Sequence, residues 1–134
     1  MSIAKSSTFP VAAETDVVKV RQAVRAAAIE CKFSLVDQTK VVTAASELGR
    51  NLLIYGGGGE VRIELLQEGL RRGLRTVFED HGPGIPDIEQ AMKDGFTSGS
   101  GMGLGLGGAR RLVNEFDIVS KVGEGTRVTI TKWK

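Results

Sequence analysis

The segment GSGMGLGLGG occupies residues 99–108 and places a glycine at nearly every second position. A glycine held in a regular element destabilises a protein by roughly 0.5–1 kcal/mol relative to alanine. Six such glycines would together cost on the order of several kcal/mol, a large share of the about 5–15 kcal/mol by which a typical domain is stable. The segment therefore indicates a place where bare backbone is required.

Three known uses of glycine-rich segments can be compared with the residues around this one. A flexible linker is disfavoured, because regular elements are predicted on both sides. Residues 103–108 satisfy the dinucleotide-binding pattern G-x-G-x-x-G, but that pattern must directly follow a buried strand, and KDGFTSGSGM (93–102) is not one. A Walker A loop needs Lys-Ser or Lys-Thr after the glycines, and neither follows. Because a helix is predicted next, the segment favours a phosphate-binding lid of another type.

The composition is that of a globular protein, with 41% hydrophobic and 25% charged residues. The net charge of +2 and the pI of about 8.8 do not indicate nucleic-acid binding. The single cysteine, Cys31, excludes an internal disulfide and follows an apolar helical stripe, so we interpret it as a core thiol. Since no apolar run approaches the ~20 residues of a membrane span and the N-terminus lacks a signal-peptide core, we expect a cytoplasmic protein without a membrane partner.

Hydrophobic periodicity predicts helices and strands in separate groups. We expect residues 1–7 to be poorly ordered and flexible, and residues 9–13 to form a short edge strand. The first helix is predicted at 16–31, with Thr15 or Asp16 as N-cap, and the second runs from the cap residue Ser34 to the glycines at 56–59. The further elements are a β-hairpin at 60–80, a short helix at 87–93, a helix at 104–116, and strands at 117–122 and 126–133. They predict one α+β domain: a two-layer α/β sandwich with a mixed, mostly antiparallel sheet and helices on one face.

Three short motifs are candidates for ligand binding, although each also has an ordinary structural explanation. Glu47 and Asn51, in ELGRN, lie one turn apart on a helix face that is either solvated or directed into a cleft. Asp80, at a strand end before Gly82 and Gly84, fits an Asx-type turn or a carboxylate offered to a hydrogen-bond donor. The residues GEGT, 123–126, fit a hairpin turn as well as a binding loop.

Taken in order with the glycine segment, these motifs resemble the ATP-binding site of the GHKL superfamily, which includes DNA gyrase, a chaperone class, histidine kinases and a mismatch-repair ATPase. The resemblance covers residues 14–133 and implies the Bergerat ATP-binding fold, with ATP and Mg²⁺ as cofactors. It implies that Asn51 coordinates Mg²⁺, that Asp80 receives the adenine amino group, that the glycines wrap the phosphates and that Thr126 assists adenine recognition. One amide oxygen would suffice for the metal, because Mg²⁺ keeps several waters and also binds phosphate oxygens.

The resemblance assigns a set of nucleotide-binding residues, and the chemistry of phosphoryl transfer, which needs a carboxylate at the attacking hydroxyl, adds a candidate base. Glu47, one turn before the metal ligand, is the candidate catalytic base. No arginine lies between Phe96 and Gly108, so the candidate cations for the terminal phosphate flank that segment or lie on the second helix: Lys93, Arg110, Arg111 and Arg50. The nucleotide-binding residues are Asn51, Asp80, Gly82, Gly84, Ile85, Gly101, Met102, Gly103, Leu104, Gly105, Leu106, Gly107 and Thr126.

Within the superfamily, the compact chain resembles the bacterial serine/threonine kinases of partner-switching pathways, which include anti-sigma-factor kinases. A histidine kinase would need a phospho-acceptor helix domain, and the sole histidine, His81, is interpreted as a loop residue. Within the group the chain most resembles the switch kinases of stressosomes, which implies STAS-domain scaffold or antagonist proteins and a PP2C-type phosphatase as partners in a stress response. The alternative is a nucleotide-gated binding module that sequesters a sigma factor. The sequence leaves the oligomeric state open, a homodimer included.

Overall fold

The computed structural model describes residues 1–93 and 105–134. Five strands form one antiparallel sheet in the order β1-β2-β3-β5-β4. The elements in chain order are β1 (Ser2–Val11), α1 (Glu14–Glu30), α2 (Leu35–Ile54), β2 (Gly59–Glu68), β3 (Arg71–Asp80), α3 (Ile88–Ala91), α4 (Gly105–Arg111), β4 (Glu115–Lys121) and β5 (Gly125–Trp133). The predicted α+β sandwich is confirmed, and every strand pair that the structure describes is antiparallel.

The core lies between the sheet and the two long helices. Val20 and Val24 of α1 and Leu48 of α2 belong to one buried cluster with Leu74 of β3 and Ile130 of β5. These helices have an apolar stripe at three- and four-residue spacing, and the strands alternate buried and exposed positions, so each element buries one face. No helix in the described part of the chain has both the length and the apolar character needed to cross a bilayer.

The helix starts follow side-chain capping chemistry. The Ser34 hydroxyl accepts a hydrogen bond from the backbone N–H of Asp37 at 3.1 Å, as the sequence predicted for the second helix. For α1 the predicted N-cap, Thr15 or Asp16, is wrong, since the cap residue is Ala13. The Asp16 carboxylate instead reaches back and accepts from the backbone N–H groups of Ala12 and Ala13.

The N-terminal residues do not form the poorly ordered start that the sequence predicted. Strand β1 begins at Ser2 and pairs with β2 along its whole length, with one register shift between Ile3 and Lys5. Pro10 is tolerated because β1 is an edge strand, where a missing N–H need not interrupt a ladder. The cross-strand pairing with β2 thus extends the predicted short strand over residues 2–11.

The predicted helix at 104–116 is too long. Helix α4 ends at Arg111, the backbone N–H of Asn114 donates to the carbonyl of Thr131 at 3.0 Å, and Glu115 already pairs with Thr131. Pairing with β5 therefore overrides the helical spacing of the apolar residues that follow Arg111. The strand predicted from residue 117 consequently begins two residues earlier, at Glu115.

The ends of several elements meet at one end of the domain. Helix α2 is 20 residues long, about 30 Å, and finishes at Ile54 beside the end of β3 at Asp80. The turn between β4 and β5 and the start of α4 lie at the same end, so segments distant in sequence surround one depression. This end carries the candidate site.

Candidate functional site

A pocket of about 300 Å³ opens at this end of the domain. Most of its lining is apolar, and its polar side chains include Asn51, Asp80 and Thr126. A mostly apolar cleft with a few placed polar groups is typical of small-molecule sites. The lining residues are Leu48, Asn51, Leu52, Tyr55, Gly56, Phe78, Asp80, Pro83, Gly84, Ile85, Pro86, Ala91, Gly105, Leu106, Thr126 and Val128.

Helix α2 supplies one wall of the pocket. Leu48, Asn51, Leu52 and Tyr55 line it, and their spacing of three, four and seven residues places them on one helix face. Asn51 is half-buried, and the structure gives its side chain no hydrogen-bond partner among residues 1–93 and 105–134. Its amide is therefore available to a ligand or to a metal ion.

Glu47 lies one turn before Asn51 on α2 but is not among the lining residues. Its side chain is half-buried, with no ion pair or hydrogen bond to any residue in the described ranges. Its carboxylate therefore has no partner among the described residues that would hold it in one position. Its assignment as a base remains a prediction.

Asp80 forms the floor of the pocket at the end of β3. Its Oδ1 accepts from the backbone N–H of Gly82 at 2.9 Å and of Thr126 at 3.3 Å. The Asx-type turn is therefore real, and it uses only one carboxylate oxygen. Because both described hydrogen bonds fall on Oδ1, Oδ2 can accept from a ligand. The turn and ligand interpretations of this residue are compatible.

The loop after Asp80 is tied to the β4–β5 turn. The carbonyl of Pro83 accepts from the backbone N–H of Gly123 at 2.8 Å, and the N–H of Ile85 donates to the Ser120 hydroxyl at 2.8 Å. Gly84 has a φ of +78°, and a Cβ added there would collide with the carbonyl of Lys121. A side chain at position 84 would therefore separate the loop from the turn.

Gly125, in the turn between β4 and β5, also has a backbone conformation and surroundings that leave no room for a side chain. Its φ is +125°, and an added Cβ would collide with the carbonyl oxygen of Asp80. The close approach of the two strands brings Thr126 opposite Asp80 in the β3–β5 register. The segment 123–126 is thus a hairpin turn whose last residue lines the pocket.

The structure brings together seven of the sequence-predicted nucleotide-binding residues: Asn51, Asp80, Gly84, Ile85, Gly105, Leu106 and Thr126 all line the pocket. Gly82 does not line the pocket, but its backbone N–H donates to the Oδ1 of Asp80. Gly107 is buried within α4 and does not line the pocket. The predicted residues Gly101, Met102, Gly103 and Leu104 lie outside the described residues.

The candidate cations do not contribute to the pocket lining that the structure describes. Arg50 is half-buried on α2, Lys93 is exposed after α3, and Arg110 and Arg111 are exposed at the end of α4. Their assignment to a terminal phosphate remains a prediction. His81 is an exposed loop residue next to Asp80, in keeping with its interpretation from the sequence.

Sequence reasoning missed several residues of the site. Tyr55 could have been found, because it continues the three- and four-residue spacing of Leu48, Asn51 and Leu52. Gly56 and Ser120 carry no such signal. Gly56 matters because it leaves room for the Asp80 carboxylate, and Ser120 because it bonds to Ile85 and Thr126.

Cys31 lies at the opposite end of the domain. Its thiol contacts the carbonyl of Gly73, near the start of β3, at 3.4 Å, whereas the pocket lies at the end of that strand. Burial raises the pKa of the Cys31 thiol, Glu30 raises it further, and Arg72 opposes the shift. The thiol is therefore protonated near neutral pH, in agreement with a core residue and not with a nucleophile.

Comparison with known proteins defines the class to which this fold and pocket belong. Residues 36–134 match the family model of histidine kinase-, DNA gyrase B- and HSP90-like ATPases, and the chain belongs to this family. The predicted GHKL relationship is confirmed.

The relatives narrow the class further. The chain is 46% identical over 120 residues to the serine/threonine-protein kinase RsbT of Bacillus subtilis, a match that covers 90% of each chain. This match confirms the prediction of a protein serine/threonine kinase. The chain is also 33% identical over 108 residues to an anti-sigma F factor of Anoxybacillus flavithermus, covering 74% of this chain and 71% of the relative.

Solved structures support the fold alone. The RsbU and RsbW domains of Rv1364c from Mycobacterium tuberculosis align with a TM-score of 0.62 and 20% identity, covering 96% of this chain and 32% of that longer one. The SiaB–SiaC complex from Pseudomonas aeruginosa aligns with a TM-score of 0.54 and 12% identity, covering 98% and 91%.

Proposed function

We propose that the protein is a Mg²⁺- and ATP-dependent serine/threonine kinase that phosphorylates a STAS-domain scaffold or antagonist protein and then activates a PP2C-type phosphatase in bacterial stress signalling. The observation that carries the proposal is the convergence of Asn51, Asp80 and Thr126 on one apolar pocket, in a chain 46% identical to a serine/threonine-protein kinase.

The adenine end of the pocket is assigned to Asp80. Its Oδ2 accepts a hydrogen bond from the exocyclic amino group, while Leu48, Phe78 and Val128 offer apolar surface to the ring. Guanine presents a carbonyl oxygen at the same place, so two acceptors would face each other. An unmade buried polar contact costs about 1–3 kcal/mol, and ATP should bind about tenfold or more tightly than GTP.

The metal is assigned to Asn51. The residues described contain no group of three or more His, Cys, Asp or Glu side chains arranged to hold a metal ion. Mg²⁺ would fit without such a cage, because it takes oxygen ligands, keeps several waters and is commonly shared with phosphates. The unpartnered Asn51 amide would supply one oxygen, and the bound metal would neutralise charge on the phosphate oxygens.

Glu47 is assigned as the base for phosphoryl transfer. The substrate hydroxyl gives its proton to the Glu47 carboxylate as its oxygen bonds to the γ-phosphorus. The bond from that phosphorus to the β–γ bridging oxygen breaks, and ADP leaves with the electron pair. Such reactions depend mainly on positioning and charge stabilisation, and a carboxylate that orients or deprotonates the nucleophile is their usual protein contribution.

The partner proposal rests on the resemblance to stressosome switch kinases. Phosphorylation of the STAS-domain protein adds a charge of about −1.5 to −2 beside the ADP phosphates, which should loosen its complex with the kinase. The released kinase is then free to bind the phosphatase. The cytoplasmic location remains a proposal from the sequence alone, and the oligomeric state, a homodimer included, stays open.

A second candidate function is a nucleotide-gated binding module that sequesters a sigma factor. The similarity to an anti-sigma F factor favours it, although that match is lower in identity and in coverage. The two candidates differ in the role of Glu47. If nucleotide binding alone carries the signal, a Glu47 variant that still binds ATP should also retain its signalling output.

Two variants on the same helix test the assignment. Asn51→Ala should weaken Mg-ATP binding and transfer together, whereas Glu47→Gln should leave binding nearly unchanged and slow transfer by about 10²–10⁴-fold. Calorimetry measures ATP and GTP binding, and mass spectrometry of a STAS-domain substrate measures transfer. Equal affinity for ATP and GTP would reject the adenine assignment. Normal transfer by Glu47→Gln would reject the base.

A further inference from the structure

We propose that Ser120 is a positioning residue that fixes the direction of the Thr126 hydroxyl and so favours an amino group over a carbonyl oxygen in the bound base. The inference rests on the proposed ATP-binding function and names a residue that does not itself line the pocket. Ser120 lies on β4 directly opposite Thr126 of β5, and both side chains are half-buried.

The Ser120 hydroxyl makes three polar contacts. It accepts from the backbone N–H of Ile85 at 2.8 Å, it lies 3.2 Å from the carbonyl oxygen of Gly125, and it lies 2.8 Å from the Thr126 hydroxyl oxygen. These contacts join the loop after β3 to the β4–β5 hairpin. Thr126 is in turn fixed through its backbone N–H, which donates to Asp80 Oδ1.

A count of protons decides which way the two hydroxyls point. A serine hydroxyl donates one hydrogen bond and accepts two. The Gly125 carbonyl can only accept, so a bond to it uses the single proton of Ser120. The remaining acceptor site of Ser120 then receives the proton of Thr126, and all three contacts are satisfied. In the reverse arrangement Ser120 donates to Thr126, and the Gly125 contact is lost.

The favoured arrangement sets what Thr126 offers to the pocket. Its only proton points to Ser120, so its Oγ1 presents lone pairs to the ligand. Asp80 Oδ2 is an acceptor on the neighbouring strand, and the two residues pair in register. Two adjacent acceptors suit an amino group, which has two hydrogens, either directly or through a water. A base with a carbonyl oxygen at that position would find no donor.

Removing the Ser120 hydroxyl releases the Thr126 proton. Thr126 can then rotate and donate to a carbonyl oxygen, so a nucleotide such as ITP, which has a carbonyl where ATP has an amino group, gains relative to ATP. A general loosening of the pocket would weaken both nucleotides alike. The ratio of ATP to ITP affinity therefore reports on hydroxyl direction and not on structural damage.

Ser120→Thr and Ser120→Val form a matched pair of similar shape, of which only the first keeps the hydroxyl. We expect Ser120→Thr to retain the wild-type ratio of ATP to ITP affinity in calorimetry, and Ser120→Val to lower it by about tenfold, the effect of one polar contact. In a Thr126→Val background the same exchange should leave the ratio unchanged. If Ser120→Val does not fold, Ser120→Ala replaces it without added volume.

The possible results separate the two levels of the proposal. Equal ratios for the Thr and Val variants, or an effect that persists in the Thr126→Val background, would overturn the role of Ser120 while the kinase assignment stands. A wild-type protein that does not bind ATP, or binds ITP equally well, would overturn the adenine assignment and the inference with it.

Discussion

Replacing Gly56 with alanine should damage the nucleotide site without disturbing the core. Gly56 follows the end of α2 and lines the pocket. A Cβ built there would lie 2.5 Å from Cγ and Oδ2 of Asp80 and 2.7 Å from its Cβ. Real Cβ contacts are essentially never under 3.0 Å. The Cβ of Asp80 is bonded to the backbone of β3 and cannot move aside unless that strand moves. The carboxylate must therefore leave its place.

The size of the effect follows from the hydrogen bonds of that carboxylate. Asp80 Oδ1 holds the backbone N–H groups of Gly82 and Thr126, and its Oδ2 is the proposed acceptor for adenine. A hydrogen bond to a charged group contributes about 1.5–3 kcal/mol. Losing the adenine contact alone should lower ATP affinity by roughly 10- to 150-fold.

Gly49→Ala, within the helix that Gly56 follows, is the matched control. Its Cβ would meet Val17 at 3.4 Å, an ordinary contact, and alanine is the better helix former by about 1 kcal/mol. Calorimetry and thermal unfolding of both variants should show Gly49→Ala stabilised with unchanged ATP affinity, and Gly56→Ala folded but weak in ATP binding. Wild-type affinity in Gly56→Ala would refute the assignment of Asp80 to the nucleotide.

Three further predictions concern the core and the opposite end of the domain. The Thr76 hydroxyl is buried without a hydrogen-bond partner among the described residues, so Thr76→Val should be neutral or raise the free energy of unfolding by about 1 kcal/mol in urea titrations. Lys132 is 8% exposed and its Nζ lies 3.4 Å from Asp37, so Asp37→Asn should lower stability by about 1–3 kcal/mol, and by more than Lys132→Met does. The pKa of the Cys31 thiol is raised in the folded protein, so the free energy of unfolding should fall as the pH rises above the ordinary thiol value of 9.0. A disulfide reagent at pH 7 should label the thiol only after denaturant is added. Rapid labelling of the native protein would contradict the burial of Cys31.

Much of the fold could be predicted from local patterns. The Ser34 cap, the hairpin and the two long helices follow from capping chemistry and hydrophobic period, which act over a few residues. The end of α4 could not, because it depends on pairing between Asn114 and Thr131 across the sheet. The N-terminal part of β1, residues 2–8, could not either, since these mostly polar residues gain their structure only from pairing with β2.

The candidate site divides in the same way. Asn51, Asp80 and Thr126 stand in recognisable motifs, and the structure places them around one pocket. Ser120 stands in no such motif, and one of its three contacts is with the backbone N–H of Ile85, 35 positions away in the chain. The space left by Gly56 depends on a contact with Asp80 that forms only when α2 and β3 pack together.

The most direct test of the kinase proposal is phosphoryl transfer to a purified STAS-domain protein. The wild-type protein, Glu47→Gln and Asn51→Ala would be incubated with that protein, Mg²⁺ and ATP labelled at the γ-phosphate, and the product mapped by mass spectrometry. We predict phosphoserine or phosphothreonine on the partner with the wild type, and little or none with either variant. A wild-type protein that binds Mg-ATP but leaves the partner unmodified, or label that appears as phosphohistidine on its own His81, would contradict the account.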